Sequence, residues 1–309
     1  DLINTTRAIL AKAGFDVSSS LSMRNVCFDV VARRDDKLLV VKVLSNVDSF
    51  SRENSDDLKV VADALEGTPI LIGETSSSGP LETGIVYSRF KIPIISNETL
   101  ADHLLEEVPP FIFAAPGGLY VKIDGDLLRE IREENNISLG TLADVAGISR
   151  RAVQMYESGM GAMIDAALRL EEFLDVPIIS PLDPFEYKNE DVPKVPTTMT
   201  TIGAPAMTRI AEMGFQVTPV VKSPFEVVTR NTDITVFTGL GSESERMIRK
   251  ALIAAEISRV AGRHSMLIVE KPSSKEAIDT TAIVTTEELK KMDDSTELMD
   301  VIISRNTKV

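Results

Sequence analysis

The stretch from Asp124 to Val176 constrains the fold of this chain more than any other part of it. Apolar residues recur there at helical spacing in successive segments, and residues suited to helix ends separate the segments. Ser138 and Ser149 are good N-caps, because a serine hydroxyl accepts a hydrogen bond from a first-turn amide. Gly147 stands where a helix end favours a left-handed residue. The pattern predicts four or five short helices, with a tight glycine turn between the second and the third.

Each predicted helix has one apolar face. In the first helix this face holds Leu127, Leu128 and Ile131, and in the second it holds Leu142 and Val145. The fourth helix is predicted to bury a stripe formed by Ile164, Ala167, Leu168, Leu170 and Leu174. Two capped helices joined by a short turn form the supersecondary unit that places its second helix in the major groove of DNA.

This stretch resembles the Cro/C1-type helix-turn-helix domains of repressors. The likeness is carried by Ile137-Ser138 before the second helix, Leu142-Ala143 within it, Ala146–Ser149 at the turn and Tyr156–Gly159 after the third. The sequence departs from the resemblance at Leu139, where such domains usually carry a Gln that reaches a phosphate. One expected contact with the DNA backbone is therefore absent.

The resemblance implies which side chains meet DNA. Those near the start of the third helix reach base edges, since Arg pairs bidentately with guanine and Gln with adenine. The serine cap and the helix N-terminus would hold a phosphate. The expected DNA-binding set is Ser138, Leu139, Ser149, Arg150, Arg151, Gln154 and Met155. The alternative for the two arginines is plain solvation at the surface. Arg132 and Glu157 look like an ion pair that joins the first helix to the third.

Charge limits how such a unit could hold DNA. The chain of 309 residues has a formal net charge of −14. Residues 120–180 contain six basic and eleven acidic residues, which leaves −5. Nonspecific affinity for DNA comes mostly from Lys and Arg that neutralise phosphates. We therefore expect weak nonspecific binding and a dependence on dimerisation.

Other features of the composition narrow the class of protein. No run approaches the roughly eighteen apolar residues of a membrane span, and the first residues predict an amphipathic helix rather than a signal peptide. The single cysteine, Cys27, fits a reducing cytoplasm. Two histidines far from it argue against a zinc site. We expect a cytoplasmic protein with no metal, no cofactor and no membrane partner.

The sequence on one side of the predicted helices repeats the sequence on the other side. Five blocks recur in the same order: Gly14–Val17 as Gly214–Val217, Phe28–Arg33 as Phe225–Arg230, Leu38–Leu44 as Ile234–Leu240, Ile70–Glu74 as Met266–Glu270, and Ser96–Leu100 as Thr285–Leu289. This order indicates an internal duplication of an α/β domain. The predicted layout is an α/β domain (1–108), a β-hairpin connector (109–123), an all-α helix-turn-helix domain (124–180), a linker (181–203) and a second α/β domain (204–309).

The repeated element order resembles the restriction-endonuclease-like fold, which includes archaeal Holliday-junction resolvases. Active members carry an Asp on the second strand and Glu-x-Lys on the third, whose carboxylates hold a divalent metal. Here Asp29 and Lys42 match the first and last places, and Val40 replaces the Glu. The corresponding places in the second copy are expected at Glu226, Val236 and Thr238. A lone carboxylate cannot fix Mg²⁺, so neither copy should cut DNA. The alternative for the Asp-Lys pair is an ordinary ion pair across adjacent strands.

The whole arrangement resembles a family of archaeal transcriptional regulators with a Cro/C1-type domain in mid-chain. Residues 28–48 and 109–134 carry this likeness. We predict a sequence-specific, homodimeric, non-catalytic regulator that reads the major groove of double-stranded DNA with helix 149–158. Two alternatives remain open: a metal-dependent nuclease whose missing carboxylate comes from Glu53 or Asp16, and a protein-interaction scaffold that no longer touches DNA. Ser76–Gly79 and Ser273-Ser274 are either plain surface loops or loops for a small-molecule effector.

Overall fold

A computed structural model of the protein describes residues 1–19, 26–188, 203–232, 234–241, 244–271 and 273–306. The chain divides into two compact units. The first unit contains residues 1–44, 48–70 and 187–309, and the second contains residues 45–47 and 71–186. Most of the first seventy residues therefore share a unit with the C-terminal part of the chain.

The elements fall into three successive groups. The N-terminal group is α1 (Leu2–Lys12), β1 (Asp16–Val17), β2 (Val30–Arg34), β3 (Lys37–Asn46), a 3-10 turn (Val47–Ser49), α2 (Arg52–Ala64), β4 (Thr68–Ser76), β5 (Gly79–Pro80), β6 (Ile85–Arg89), β7 (Ile92–Ile95) and α3 (Asn97–Leu105). The central group is β8 (Ile112–Ala115), β9 (Gly118–Ile123), α4 (Gly125–Glu134), α5 (Leu139–Ala146), α6 (Arg150–Glu157), β10 (Ala162–Met163), α7 (Ile164–Leu174) and β11 (Ile179–Ser180). The C-terminal group is α8 (Gly203–Glu212), β12 (Gln216–Pro219), β13 (Val227–Arg230), β14 (Thr235–Gly241), α9 (Glu245–Ala261), β15 (His264–Val269), β16 (Ala277–Ile278), β17 (Thr281–Thr285), α10 (Thr286–Lys291) and α11 (Ser295–Asn306).

The two copies share the same turn after their first helix, in agreement with the duplication predicted from the sequence. Gly14 has a φ of +84° and Gly214 a φ of +92°, a left-handed conformation that glycine adopts without strain. The next residue is a phenylalanine in both copies. The amide of Phe15 donates to the carbonyl of Leu10 at 3.0 Å, and the amide of Phe215 donates to the carbonyl of Ile210 at 3.3 Å. The same turn therefore aims the first strand in both copies.

The strands of the two copies follow the same order. β1, β2 and β3 pair antiparallel in sequence, and so do β12, β13 and β14. In the second copy the sheet continues through parallel β15 and β17 to antiparallel β16. In the second unit, β4 pairs parallel with β7, and β7 pairs antiparallel with β6. The chain is thus an α/β protein with a duplicated restriction-endonuclease-like domain and a helix-turn-helix domain inserted between the copies.

The alignment of the third strand of the second copy, β14, with that of the first copy, β3, was predicted wrongly by one residue. β13 pairs Val227 with Thr238. Extended by one residue, this register brings Glu226 beside Gly239, where Oε2 lies 3.7 Å from the position of an added Cβ, and Phe237 is two residues before Gly239 on the same face. Sequence comparison had placed Val236 and Thr238 at these positions. Side chains alternate along a strand, so a slip of one residue assigns every side chain to the opposite face. The apolar blocks of the two copies look alike in either register, and the strand pairing decides between them.

The predicted hairpin and helices are confirmed, with some differences in detail. β8 and β9 form the hairpin, in which Phe113 lies opposite Tyr120. β9 also pairs with the short strands β10 and β11, so the helical domain is not purely α. The side chains of Leu128, Leu142 and Leu170 are completely buried in its core. Leu168, which was predicted to be buried, is 51% exposed, because the apolar stripe of α7 is centred on Ala166, Ala167 and Leu170.

Other sequence-based boundaries shift by a few residues. The sequence pattern predicts strands over Phe15–Leu21 and Val26–Arg33, whereas β1 and β2 are shorter, and residues 20–25 lie outside the described part. Apolar residues at helical spacing predict a helix from Ser55, and α2 begins three residues earlier, at Arg52, where the hydroxyl of Ser51 caps it. Most of the predicted linker 181–203 lies outside the described residues. Where the chain is described, no helix combines the length and the apolar character needed to cross a bilayer.

Candidate nucleic-acid interface

Helix α6 begins at a capped end and turns its polar side chains outward. The hydroxyl of Ser149 accepts a hydrogen bond from the amide of Ala152 at 3.1 Å. Val153 and Tyr156 are buried on the inner face. With 3.6 residues per turn, the outer face is left to Arg150, Arg151 and Gln154, which are all exposed.

The two arginines at this tip keep their donors available. Neither Arg150 nor Arg151 bonds to an acceptor or pairs with a carboxylate among the residues that the structure describes. The other arginines of the same helical domain are used within the protein: Arg129 and Arg132 with Glu157, and Arg169 with the carbonyl of Ala146. Each guanidinium has five donors in a planar fork that matches phosphate and guanine. The start of α6 is therefore an exposed donor surface.

The start of α5 lies beside this tip. The hydroxyl of Ser138 accepts from the amide of Thr141 at 3.0 Å, which caps the helix. Gly147 follows α5 as its C-cap with a left-handed φ of +69°, as predicted for the glycine turn. Of the seven residues predicted to meet DNA, the exposed ones are Ser138, Ser149, Arg150, Arg151 and Gln154. Leu139 and Met155 are half-buried, and Leu139 packs against the domain core.

The predicted ion pair between the first and third helices of the domain is present. Arg132 donates to both carboxylate oxygens of Glu157, with 3.2 Å from Nη2 to Oε2. The side chain of Glu157 is 5% exposed and that of Arg132 is 15% exposed. The hydrogen bond with Glu157 outweighs burial and raises the pKa of Arg132 above its ordinary value. This buried pair holds α4 against α6 and fixes the angle at which α6 is presented.

In the first copy, the positions that match the nuclease motif are Asp29, Val40 and Lys42, and the two charged side chains bond to each other. The Oδ1 atom of Asp29 lies 3.1 Å from Nζ of Lys42, so the ion pair expected across adjacent strands is confirmed. The Oδ2 atom accepts from the amide of Val43 at 2.8 Å. Val40, where active members carry Glu, is completely buried. Among Asp29, Val40 and Lys42 only one side chain is a carboxylate, it is already paired with Lys42, and a lone carboxylate does not hold a divalent metal.

The second copy has a similar arrangement built from different residues. Oε2 of Glu226 accepts from the amide of Leu240 at 2.9 Å, as Asp29 does from the third strand of its own copy. Oε1 pairs with Lys250 of α9, since Gly239 provides no side chain opposite the carboxylate. In each copy a lysine and one backbone amide thus satisfy the carboxylate.

The carboxylates that could have completed a metal site in the first copy pair with cations of the second copy. Nζ of Lys222 lies 2.8 Å from Oε1 of Glu53 and 2.8 Å from Oδ2 of Asp57. The contact with Asp57 is an ion pair rather than an aligned hydrogen bond, because Oδ2 has no donor in hydrogen-bond geometry. Asp16 pairs with Arg259 at 2.9 Å. Within the described residues, no three His, Cys, Asp or Glu side chains are grouped to hold a metal ion.

Cys27, the cysteine near Asp57, has a thiol of low reactivity. Burial, reinforced by the negative charge of Asp57, raises the pKa of Cys27 to about 12. The thiol therefore stays protonated at neutral pH, and a protonated thiol is a poor nucleophile and metal ligand. The amide of Cys27 donates to the carbonyl of Lys222 at 2.8 Å.

Sequence reasoning missed three residues that shape these places. Lys222 and Lys250 are the cations that occupy the carboxylate clusters, and Gly140 lies beneath the guanidinium of Arg150. The only sequence signal for Gly140 was a glycine inside a predicted helix, which lowers helix stability and usually has a packing reason. Nothing local in the sequence marks the two lysines.

Two family models match the chain. Residues 1–110 match the model described as "PD-(D/E)XK superfamily domain", and residues 128–179 match the model described as "Helix-turn-helix". The first match agrees with the restriction-endonuclease-like fold and the second with the central helices.

Relatives match almost the whole chain. A protein of Methanocella arvoryzae is 42% identical over 99% of this chain and 97% of its own length. A protein of Methanocaldococcus jannaschii is 39% identical over 98% of this chain and 96% of its own. A protein of Halobacterium salinarum is 35% identical over 98% of this chain and 97% of its own length. All three carry the name "Putative HTH-type transcriptional regulatory protein". No solved structure matches the chain.

Proposed function

The chain belongs to this archaeal family of HTH-type regulatory proteins, and from that premise we propose that it is a sequence-specific, homodimeric regulator of transcription that binds double-stranded DNA and catalyses no reaction. The observation that carries the proposal is the exposed tip of α6. There, Arg150 and Arg151 keep their donors free, whereas the other arginines of the domain are bound internally. In this proposal α6 enters the major groove, and Arg151, Gln154 and Met155 reach base edges.

The contacts with the DNA backbone come from the two helix starts. Ser138 and Leu139 at α5 and Ser149 at α6 approach phosphates with their amides or hydroxyls. First-turn amides have no backbone partner within their own helix, and those that do not donate to the capping serines are available to an anion. The exposure of both serines supports this placement.

Affinity and geometry both support the proposal of a homodimer. Residues 120–180 have a net charge of −5, so one helix-turn-helix domain attracts phosphates weakly. Two domains held about one helical turn apart on DNA bind two half-sites together and gain affinity from the linkage. We therefore expect the preferred DNA to be a palindrome or near-palindrome.

Selection of DNA ligands from a random library by the full chain tests the proposal. The expected result is one enriched palindromic motif with half-sites about one helical turn apart. Light scattering of the complex should give two chains per duplex. Failure to enrich any motif would overturn the DNA-binding proposal and favour a protein-interaction scaffold.

Single variants locate the binding surface. Arg151→Ala should weaken binding to the selected DNA by about 1–3 kcal/mol and relax the preference at one base pair. Lys122→Ala removes one exposed positive charge from β9 in the same domain and serves as the matched control, with an unchanged base preference. Equal loss of preference in both variants would place the readout elsewhere.

A nuclease is the second candidate, because residues 1–110 match the PD-(D/E)XK superfamily. The lysine partners of Asp29 and Glu226 support the non-catalytic proposal, as does the pairing of Glu53 and Asp16 with cations. Incubation of supercoiled plasmid with the full chain and Mg²⁺ or Mn²⁺ separates the candidates. We expect no nicking. Cleavage that disappears in Asp29→Ala or Lys42→Ala would establish an enzyme instead.

A further inference from the structure

The first residue of α5 gives no polar side chain to the DNA-facing tip. Leu139 is half-buried and packs against the core of the helical domain. A leucine cannot donate a hydrogen bond, so the side-chain contact with phosphate that related domains make at this point has no equivalent on α5 itself. The next residue, Gly140, has no side chain either.

The space above Gly140 is filled by an arginine from the neighbouring helix. A Cβ atom added at Gly140 would lie 3.0 Å from Nη2, 3.1 Å from Nε and 3.3 Å from Cζ of Arg150. The guanidinium therefore lies directly over the first turn of α5. Glycine inside a helix is less favourable than alanine, and the closeness of Arg150 gives this glycine a packing role.

The guanidinium of Arg150 lies close to the α5 backbone but makes no hydrogen bond to it. Arg150 is exposed, and among the described residues it has no hydrogen-bond acceptor and no carboxylate partner. A guanidinium without a protein acceptor keeps a planar fork of donors for two oxygens of one phosphate. Arg151 follows by one position, about 100° further round α6, so the two arginines cannot approach the same DNA group in the same way.

From these contacts, and resting on the DNA-binding function proposed above, we propose that Arg150 grips a DNA backbone phosphate from over α5, that Gly140 positions it there, and that base readout falls to Arg151. This assignment changes the sequence-based expectation that both arginines reach base edges. Phosphate contacts set the register of a protein on the duplex but carry no sequence information. The two neighbouring arginines therefore have separable effects on affinity and on specificity.

The two roles predict opposite signatures in binding measured against salt. Fluorescence anisotropy of the full chain is recorded with the selected duplex and with duplexes changed at single base pairs, each at several salt concentrations. Arg150→Ala should weaken binding to all these duplexes by a similar factor and reduce the slope of log K against log salt by about 0.9, the value for one phosphate. Arg150→Lys keeps the charge and should restore most of that slope. Arg151→Ala should instead relax the preference at one base pair.

Gly140→Ala tests the positioning role. The added methyl group would displace the guanidinium, so the affinity should fall several-fold and the salt slope should fall with it. Alanine favours the helix, so the midpoint of chemical unfolding should stay the same or rise. A merely structural role for Gly140 would leave the salt slope unchanged.

The outcomes distinguish this proposal from the function on which it rests. If the wild-type chain selects no DNA, the proposed function fails and the assignment of Arg150 fails with it. If the wild-type chain selects a motif but Arg150→Ala relaxes one base pair, or leaves the salt slope unchanged, the phosphate assignment alone is overturned. An unchanged affinity and slope in Gly140→Ala would overturn the role of Gly140.

Discussion

At the scale of single residues, the buried carboxylate of Glu157 connects α6 to α4. It lies at the end of α6 and receives two hydrogen bonds from Arg132 on α4. Arg129, one turn earlier on α4, approaches the same carboxylate at 3.6 Å from a side chain that is 48% exposed. One buried acid thus has a buried partner and a solvated one, which makes their contributions separable.

Arg132→Ala should therefore destabilise the protein far more than Arg129→Ala. Removing Arg132 leaves Glu157 buried with only a solvated partner, which costs about 3–5 kcal/mol. Removing Arg129 breaks an exposed pair and should cost about 1 kcal/mol or less. Chemical denaturation followed by circular dichroism measures both variants. Equal losses would show that the buried pair does not hold α4 to α6.

At the scale of elements, helix ends decide how α6 and α10 are held. The hydroxyl of Ser149 caps α6. At α10 the hydroxyl of Thr285 accepts from the amide of Glu288 at 3.1 Å, and the carboxylate of Glu288 accepts from the amide of Thr285 at 2.8 Å. Arg305 from α11 also bonds to Glu288. The two caps differ in that only the second contains a titratable group.

The cap of α6 can be tested without disturbing the core. Ser149→Ala should loosen the first turn by about 1 kcal/mol, and Ser149→Gly by only a few tenths, because glycine tolerates the cap conformation and leaves the amides open to water. Hydrogen–deuterium exchange of the α6 amides should be about fivefold faster in the alanine variant. Identical exchange in both variants would mean that the serine hydroxyl does not stabilise the helix.

The cap of α10 gives a dependence on pH. Burial opposes ionisation of Glu288, but hydrogen bonds from Arg305 and Thr285 outweigh it and lower its pKa from 4.5 to about 2. A lowered folded pKa adds stability above the unfolded value, and this stability is lost as the pH falls from 4.5 towards 2. Unfolding measured at pH 6 and pH 3 should show a smaller loss in Glu288→Gln than in the wild type. The same loss in both would exclude Glu288 as a source of the pH dependence.

At the scale of the whole molecule, charged contacts join the two copies within the first compact unit. Acidic residues of the N-terminal part meet basic residues of the second copy: Glu53 and Asp57 with Lys222, Glu66 with Arg230 and Arg263, and Asp16 with Arg259. Helix α9 also packs against β2. The duplicated sequence is therefore used to build an association inside one chain.

These contacts should differ in strength according to their burial. The side chain of Asp57 is 12% exposed and that of Lys222 is 29% exposed, whereas Asp16 and Arg259 are both more than half exposed. Asp57→Asn should lower the free energy of unfolding by about 1–3 kcal/mol. Asp16→Asn, the matched control, should lower it by about 1 kcal/mol or less. Equal effects would mean that Lys222 contributes no more than a surface pair.

The acidity of the chain predicts how it meets arbitrary DNA. With a net charge of −14, the protein should bind unrelated duplexes weakly at physiological salt. A gel-shift titration with a duplex that lacks the selected motif measures this. Tight binding regardless of sequence would contradict the prediction and would require a basic surface that the charge balance does not provide.

The sequence by itself determined the features that depend on neighbours along the chain. Ser138, Gly147 and Ser149 act on residues within one or two turns, so caps and turn can be inferred from the sequence alone. The duplication was also visible, because each block occupies the same element in both copies. The sequence also shows directly that Val40 stands where active nucleases carry Glu.

The tertiary structure alone decided what depends on residues distant in sequence. Lys222 reaches Glu53 from 169 positions away, and no local pattern foretells that pairing. The register that places Gly239 opposite Glu226 is set by hydrogen bonds between strands, not by hydrophobic pattern. The contact between the guanidinium of Arg150 and Gly140 also depends on the tertiary structure. It forms only when α5 and α6 pack together, because the glycine on one helix then leaves space for the arginine of the other.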